Sequence, residues 1–174
     1  GVAALAATSG GTGAGIAAAL AGYPGVGRRM EVRYDRNGIT VLDDYGHHPT
    51  AIDATISTVR LRYAGRPLIL VIEPLTYHRT AALLPALARS CAAADRVAVA
   101  DIFAVRDTDL TITSAGKLAA AISALGTQAD APGSVEATAD TIFAALPEAA
   151  VVLVMGGGRS TDLATRLAAA LAAR

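Results

Sequence analysis

The chain has 174 residues, is 53% hydrophobic, and balances 15 Lys and Arg against 15 Asp and Glu, so its formal charge is zero. That length suits one domain with its own core. The balance excludes a general affinity for nucleic acid and a solvated acidic tail, and polar residues interrupt every apolar run before the roughly 20 residues a membrane span requires.

The chain opens Gly1-Val2-Ala3 without a methionine, and its alanine run lacks the basic start and cleavage pattern of a secretory signal. This beginning reads as a cut inside a longer protein. Residues 2–8 read as a helix remnant, 16–21 as a second short helix, and Tyr23-Pro24-Gly25-Val26-Gly27 as a connector. Residues 1–26 are therefore expected to be the tail of a preceding domain, and 27–174 the domain proper. The run Ser9-Gly10-Gly11-Thr12-Gly13-Ala14-Gly15 has no strand before it and no Gly-Lys-Ser/Thr after it. It is expected to be a flexible connector, not a phosphate loop.

From residue 30 onward short β-branched runs alternate with helical patterns. Residues 30–34, 39–42, 68–72, 97–100 and 151–155 read as strands, with a weaker one near 128–131. The first two form a hairpin across Asn37-Gly38, a pair favoured where the turn needs positive φ. The later runs are continuously apolar, as in parallel strands covered on both faces.

Between them lie helical stripes: Ile52, Ile56, Val59, Tyr63; Leu83, Leu84, Leu87, Ala88, Cys91; Leu118, Ile122, Leu125; Val135, Ala139, Ile142, Leu146; and Leu163, Leu167, Leu171. Pro49 suits a first helical position, Ser114, Ser134 and Ser160 suit N-caps, and Gly65 and Gly126 suit C-terminal stops. The alternation implies an α/β, Rossmann-like three-layer sandwich: a mostly parallel sheet of about six strands with an N-terminal antiparallel hairpin strand. Cys91, the only cysteine, falls on a helical stripe and is expected to be a buried, inert thiol. A lone cysteine excludes a disulfide framework or cysteine-based zinc site and fits a reducing cytoplasm.

Ligands of an open parallel sheet bind beyond the carboxyl ends of its strands. There the chain places Asp43-Asp44-Tyr45-Gly46-His47-His48, the segment from Glu73 to Arg79, Asp101 with Arg106, and Gly156-Gly157-Gly158-Arg159-Ser160. Singly, each group has a structural explanation as a cap, a backbone partner or a solvated charge. Four such loops on one rim point to a ligand. The adjacent His47 and His48 would diverge on extended chain, which argues against a protein-built zinc site. The final glycine run enters a helix N-terminus, where N–H groups and the helix dipole favour an anion; a tight turn with close helix packing explains it equally well.

These motifs resemble the C-terminal domain of Mur ligases. Gly27-Arg28-Arg29-Met30-Glu31-Val32, with the hairpin leading into Val41-Leu42-Asp43-Asp44-Tyr45-Gly46-His47-His48-Pro49-Thr50, is similar to that domain's opening. Glu73-Pro74-Leu75-Thr76-Tyr77-His78-Arg79-Thr80, and Ala94-Asp95 before Asp101-Ile102-Phe103-Ala104, resemble the branch that adds L-alanine to UDP-N-acetylmuramate. The residues from Val151 to Gly158 resemble the last strand and turn. The resemblance runs in order along the whole chain and is thinnest over residues 107–150.

The resemblance implies a cytoplasmic, three-domain ligase of peptidoglycan synthesis. ATP with Mg²⁺ phosphorylates a carboxylate, and an amino acid's amino group attacks the acyl phosphate. It implies nucleotide contacts for Arg29, Asp44, Tyr45 and His47 and substrate contacts for His48, Tyr77, His78 and Arg79. It assigns no catalytic residue and no metal ligand to this stretch, because the Gly-Lys-Ser/Thr loop and the main Mg²⁺ ligands belong to the central domain. The implied partners are the chain's own central and N-terminal domains, UDP-N-acetylmuramate and L-alanine, with no nucleic acid and no membrane; the isolated chain would be inactive. Three positions depart from the L-alanine branch: Leu75 stands for its usual histidine, Arg159 for an acidic residue, and Pro49-Thr50-Ala51 is similar to the branch that recycles murein tripeptide. A murein-peptide-recycling or other Mur-like ligase stays open, as does a free-standing nucleotide or sugar-nucleotide binding module.

Overall fold

Asn37 and Gly38 take φ of 52° and 78° and reverse the chain between β1 (Glu31–Arg36) and β2 (Ile39–Asp44), which pair antiparallel. The computed structural model describes residues 6–23 and 25–174. A short helix, α1 (Gly13–Ala21), precedes the hairpin. After it come α2 (Pro49–Arg62), β3 (Leu68–Glu73), α3 (Tyr77–Cys91), β4 (Arg96–Ala100), α4 (Ala115–Ser123), β5 (Gln128–Gly133), α5 (Val135–Ala144), β6 (Ala150–Gly156) and α6 (Ser160–Ala172).

The sheet order is β1-β2-β6-β3-β4-β5, and every pairing except β1 with β2 is parallel. The chain moves from β2 to β5, then returns and inserts β6 between β2 and β3. Successive side chains of a strand point to opposite faces, so each central strand feeds two cores. Leu68, Leu70, Ile72, Leu153 and Met155 pack beneath α2, α3 and α4, while Ile69, Val71, Val152 and Val154 pack beneath α5 and α6. The three-layer sandwich expected from the alternation of elements is the fold observed.

Several expected boundaries move, for identifiable reasons. β2 runs on through Asp43 and Asp44 because both continue the ladder with β6, Asp44 lying opposite Met155. The weak strand near 128–131 is the full edge strand β5, which tolerates Pro132 because an edge has unpaired N–H positions. Leu125 leaves the core stripe: α4 ends at Ser123, and Leu125 lies beyond its cap, 53% exposed. Ser114 and Ser134 cap as expected, accepting from the N–H groups of Lys117 and Ala137, and Gly65 and Gly126 take positive φ. Ser160 does not cap α6. It is the first helical residue, Arg159 holds the cap position without a side-chain bond, and a carboxylate from β3 serves instead.

At the N-terminal end the glycine run is not all connector, since Thr12 accepts from Gly15 N–H and starts α1 at Gly13. Residues 2–5 of the expected first helix lie outside the described residues, as does Pro24; residues 6–8 are helical. α1 buries none of its residues. Cys91 is fully buried, and burial, with Asp53 adding to it, pushes its thiol up to about 12. Among the described residues no helix is long and apolar enough to cross a membrane.

Leu153 sits at the centre of β6 with no exposed surface, whereas Leu61 on α2 is 84% exposed. Leu153→Ala is expected to cost about 3 kcal/mol through lost burial and an uncollapsed cavity, and Leu61→Ala less than about 0.5 kcal/mol. Urea unfolding of the two variants measures both.

Candidate functional site

β2 delivers Asp43 and Asp44 to the sheet's carboxyl edge, and both are buried there. A buried carboxylate must be bonded or it is expelled or neutralised, and the two find different partners. Asp44 holds backbone: its Oδ1 accepts from Gly46 N–H at 2.7 Å and its Oδ2 from Met30 N–H at 3.0 Å. Asp43 accepts from the Thr161 hydroxyl at 2.7 Å and faces Arg28, whose Nε lies 3.6 Å from Oδ1. Arg28 also donates through Nη2 to the Gly156 carbonyl at 2.7 Å and Ser160 Oγ at 2.8 Å. To reach there, Arg28 and Met30 adopt left-handed φ of 55° and 50°.

Glu73, at the end of β3, is 2% exposed. Its Oε2 accepts from Gly158 N–H at 3.1 Å and Ser160 N–H at 2.8 Å, and its Oε1 from Arg159 N–H at 2.9 Å. The anion at the α6 N-terminus is therefore the chain's own, which decides against an external phosphate at those amides. The glycines answer to packing. A Cβ on Gly156 would lie 2.9 Å from Glu73 Cβ, on Gly157 3.1 Å from His47 Nδ1 and 3.3 Å from Leu75 Cδ2, and on Gly158 2.4 Å from Phe103 Cγ. One side-chain-free turn thus touches the loops after β2, β3 and β4.

The residues named from the sequence form two groups flanking that turn. On one side the Tyr45 ring, 39% exposed, lies under the guanidinium groups of Arg28 and Arg29, at 5.0 and 5.6 Å, and edge-on to His47 at 5.4 Å. His47 Nδ1 is 3.0 Å from the Tyr45 carbonyl, so that nitrogen carries the proton and Nε2 is left free. His48 turns its Nδ1 toward Thr50 N–H and caps α2.

On the other side, Thr76 caps α3, accepting from Arg79 N–H, with φ of 60°. Its own N–H donates to the Phe103 carbonyl, and Phe103 N–H donates to the Pro74 carbonyl. Asp107 accepts from Tyr77 N–H and, through Oδ1, from His78 Nδ1 at 2.8 Å. The His78 imidazole, and after it the Tyr77 N–H, hold the Asp107 carboxyl below the usual carboxylate range. Tyr77 is half-buried, and His78 and Arg79 are exposed; among the described residues no side-chain bond occupies the Arg79 guanidinium. Both groups adjoin the glycine turn, His47 on one side and Leu75 and Phe103 on the other.

Sequence reasoning passed over Arg28, Glu73 as a cap, and Asp107. The first two act across strands that are distant in sequence. Arg159, in contrast, pairs with Glu136 at 2.6 Å and Asp162 at 3.2 Å, so its charge is committed. Among the described residues no group of three or more His, Cys, Asp or Glu side chains is placed to hold a metal ion.

Residues 28–158 match the family profile of the Mur ligase, glutamate ligase domain. The chain is 37% identical over 154 residues to a UDP-N-acetylmuramate–L-alanine ligase of Chloroflexus aggregans, covering 88% of this chain and 32% of that protein. The structure of the UDP-N-acetylmuramate-alanine ligase of Thermotoga maritima superposes with a TM-score of 0.81 at 22% identity, over 99% of this chain and 36% of that one. A murein peptide ligase of Psychrobacter arcticus gives 0.66 at 27% identity, over 96% and 35%. The chain spans about a third of the length of the curated relatives it matches.

Glu73→Ala leaves three N–H groups, one buried and two part-buried, without their acceptor and is expected to cost about 3 kcal/mol; Glu73→Gln, which keeps one accepting oxygen, costs less. Chemical denaturation checks the order. The depressed Asp107 carboxyl contributes stability above its unfolded value of about 4 and loses it as pH falls through the lower folded value. Melting temperatures between about pH 3 and 6 should fall less steeply for Asp107→Asn than for the parent chain; equal slopes would rule out this contribution.

Proposed function

Because the chain belongs to the Mur ligase family, we propose that it is the C-terminal domain of an ATP-dependent UDP-N-acetylmuramate:L-alanine ligase of peptidoglycan synthesis, which closes over ATP and positions the amino-acid acceptor. The observation that carries this reading is the pair of polar groups set on either side of the glycine turn, one aromatic and cationic, the other ending in an uncommitted guanidinium. The family match favours it over a free-standing nucleotide-binding module.

Tyr45 offers a ring face to the nucleoside, and Arg29 and His47 beside it suit the ribose and phosphate region. Asp44 acts by holding Met30 and Gly46, since both its oxygens are already bonded to backbone. On the acceptor side Arg79 provides the fork-shaped recognition that a carboxylate favours, with Tyr77 and His78 lining the approach. His48 contributes by capping α2. Displacement at an acyl phosphate needs positioning and charge neutralisation more than a protein nucleophile, and these residues supply both. Mg²⁺ and the triphosphate-binding loop are assigned to the central domain, in keeping with the binding of Asp43, Asp44 and Glu73 to partners within this chain. The isolated chain is then inactive, and the whole protein works in the cytoplasm.

Residues 1–26 are the tail of that preceding domain, and 27–174 form the C-terminal domain. Two features support this division: the family match begins at residue 28, and Leu20 on α1 and Tyr23 just after it stand exposed around an apolar groove of about 510 Å³ lined also by Ile16 and Ala19. A murein-peptide ligase is the second reading, favoured by Ala51 after Pro49-Thr50 and by the Psychrobacter likeness.

Release of ADP by the full-length enzyme, with UDP-N-acetylmuramate and either L-alanine, glycine, L-serine or a preformed tripeptide, separates the two. L-alanine is expected to be preferred, and turnover with the tripeptide alone rejects the first reading. Arg79→Ala should lower kcat/KM for the acceptor roughly 10- to 100-fold, as expected for a charged hydrogen bond worth about 1.5–3 kcal/mol, with little change in the KM for ATP. Equal losses for both substrates contradict the role given to Arg79.

A further inference from the structure

An amino acid reaches a ligase at neutral pH as an ammonium ion, which has no lone pair with which to attack. It must shed one proton before the C–N bond forms and a second afterwards. A site that makes amides therefore gains from a fixed base beside the acceptor nitrogen. We propose that His78, oriented by Asp107, is that general base, an inference that rests on the ligase reading above.

The two side chains are arranged as a base and its orienter. His78 Nδ1 lies 2.8 Å from Asp107 Oδ1. An ionised carboxylate only accepts, so Nδ1 carries the proton and the lone pair of neutral His78 sits on Nε2. The imidazole is 64% exposed on the rim, while the Asp107 carboxylate is 8% exposed behind it. Tyr77 N–H occupies the second Asp107 oxygen and keeps the carboxylate from turning away. Both backbones that build this pair are strained. Thr76 and Val105, β-branched residues, hold φ of 60° and 54°, conformations that cost about 1–3 kcal/mol each and persist where the surroundings fix them.

A cap alone would explain the Tyr77 bond but would not require an imidazole at position 78. The other charges beside His78 are Asp109, whose own carboxyl is lowered in part by His78, and Arg79, the next residue on the same helical turn; Arg106 is the chain neighbour of Asp107. Arg79 would hold the acceptor's carboxylate one residue along from the base that faces its nitrogen.

In the step, the ammonium gives up a proton, the freed amine attacks the acyl carbon, the C–N bond forms, and the bond from the acyl carbon to the bridging oxygen breaks with its electron pair leaving on inorganic phosphate. Nε2 takes one of the two protons lost by nitrogen, Asp107 stabilises the imidazolium, and solvent or the departing phosphate takes the other.

Hydroxylamine tests this, because it is a neutral amine at pH 7 and can trap the acyl phosphate as a hydroxamate without a base to free its lone pair. The full-length enzyme is assayed with ATP and UDP-N-acetylmuramate, with L-alanine or hydroxylamine as acceptor. His78→Gln is expected to lower amide formation about 100-fold or more while hydroxamate formation stays near the parent rate. Asp107→Asn should shift the acid limb of the kcat/KM profile for L-alanine and again spare hydroxamate formation. Parallel loss with both acceptors in either variant, or an unmoved acid limb in Asp107→Asn, overturns the assignment. If the parent enzyme makes neither ADP nor hydroxamate, the ligase reading itself fails.

Discussion

The central strand β6, buried along its whole length, has to leave the sheet between two neighbours whose own loops crowd the same edge. Where it ends, Gly156 and Gly158 have room only for hydrogen against Glu73 and Phe103, and Gly157 lies tightly against His47 and Leu75. Returning β6 to the middle of the sheet is thus what gathers the loops after β2, β3 and β4 around one point. In order along the sequence those loops are far apart; at the glycine turn they touch. Any geometry the domain offers to a ligand follows from that crowding.

The same crowding sorts the charges. Asp43, Asp44 and Glu73 are buried at the rim, and each is held internally: Asp43 by a hydrogen bond from Thr161 and an ion pair with Arg28 that leaves its Oδ1 without a hydrogen bond, Asp44 by two loop amides, and Glu73 by the first amides of α6. Low-dielectric surroundings make such bonds strong and make their loss costly. The buried negative charge of the rim is therefore spent on structure, while Arg29 and Arg79 stay exposed. A chain with no net charge can in this way present cations locally to anionic groups, which composition alone cannot reveal.

What the sequence makes legible follows from this division. Local signals read well: Asn37-Gly38 makes the hairpin, Pro49 opens α2, Ser114 and Ser134 cap, and the unalternated runs at 68–72 and 151–155 are strands covered on both faces. Tertiary signals do not. Nothing near Ser160 says that Glu73 will take its capping place, because the two are 87 residues apart and meet only if β6 lies beside β3. The anion expected at the α6 N-terminus is present, but it comes from within the chain. The rim residues Tyr45, His47, His78 and Arg79 are findable because they follow strands; Asp107 is not, because it sits in an irregular stretch between β4 and α4 where neither periodicity nor a turn motif marks it.

The loops after β3 and β4 are tied together by that irregular stretch. Phe103 and Asp107 bond back to Pro74, Thr76 and Tyr77, so two loops that would otherwise move separately form a short extension of the parallel ladder, with a bridge from Leu75 to Phe103. The strain at Thr76 and Val105 is offset by those bonds and by the cap of α3. Catalysis by positioning is sensitive to errors near 1 Å, and here the backbones of the two loops are bonded to each other before any ligand arrives. Tyr77, His78 and Arg79 thus stand on the first turn of a helix, instead of on free loop, at the crowded edge of the sheet.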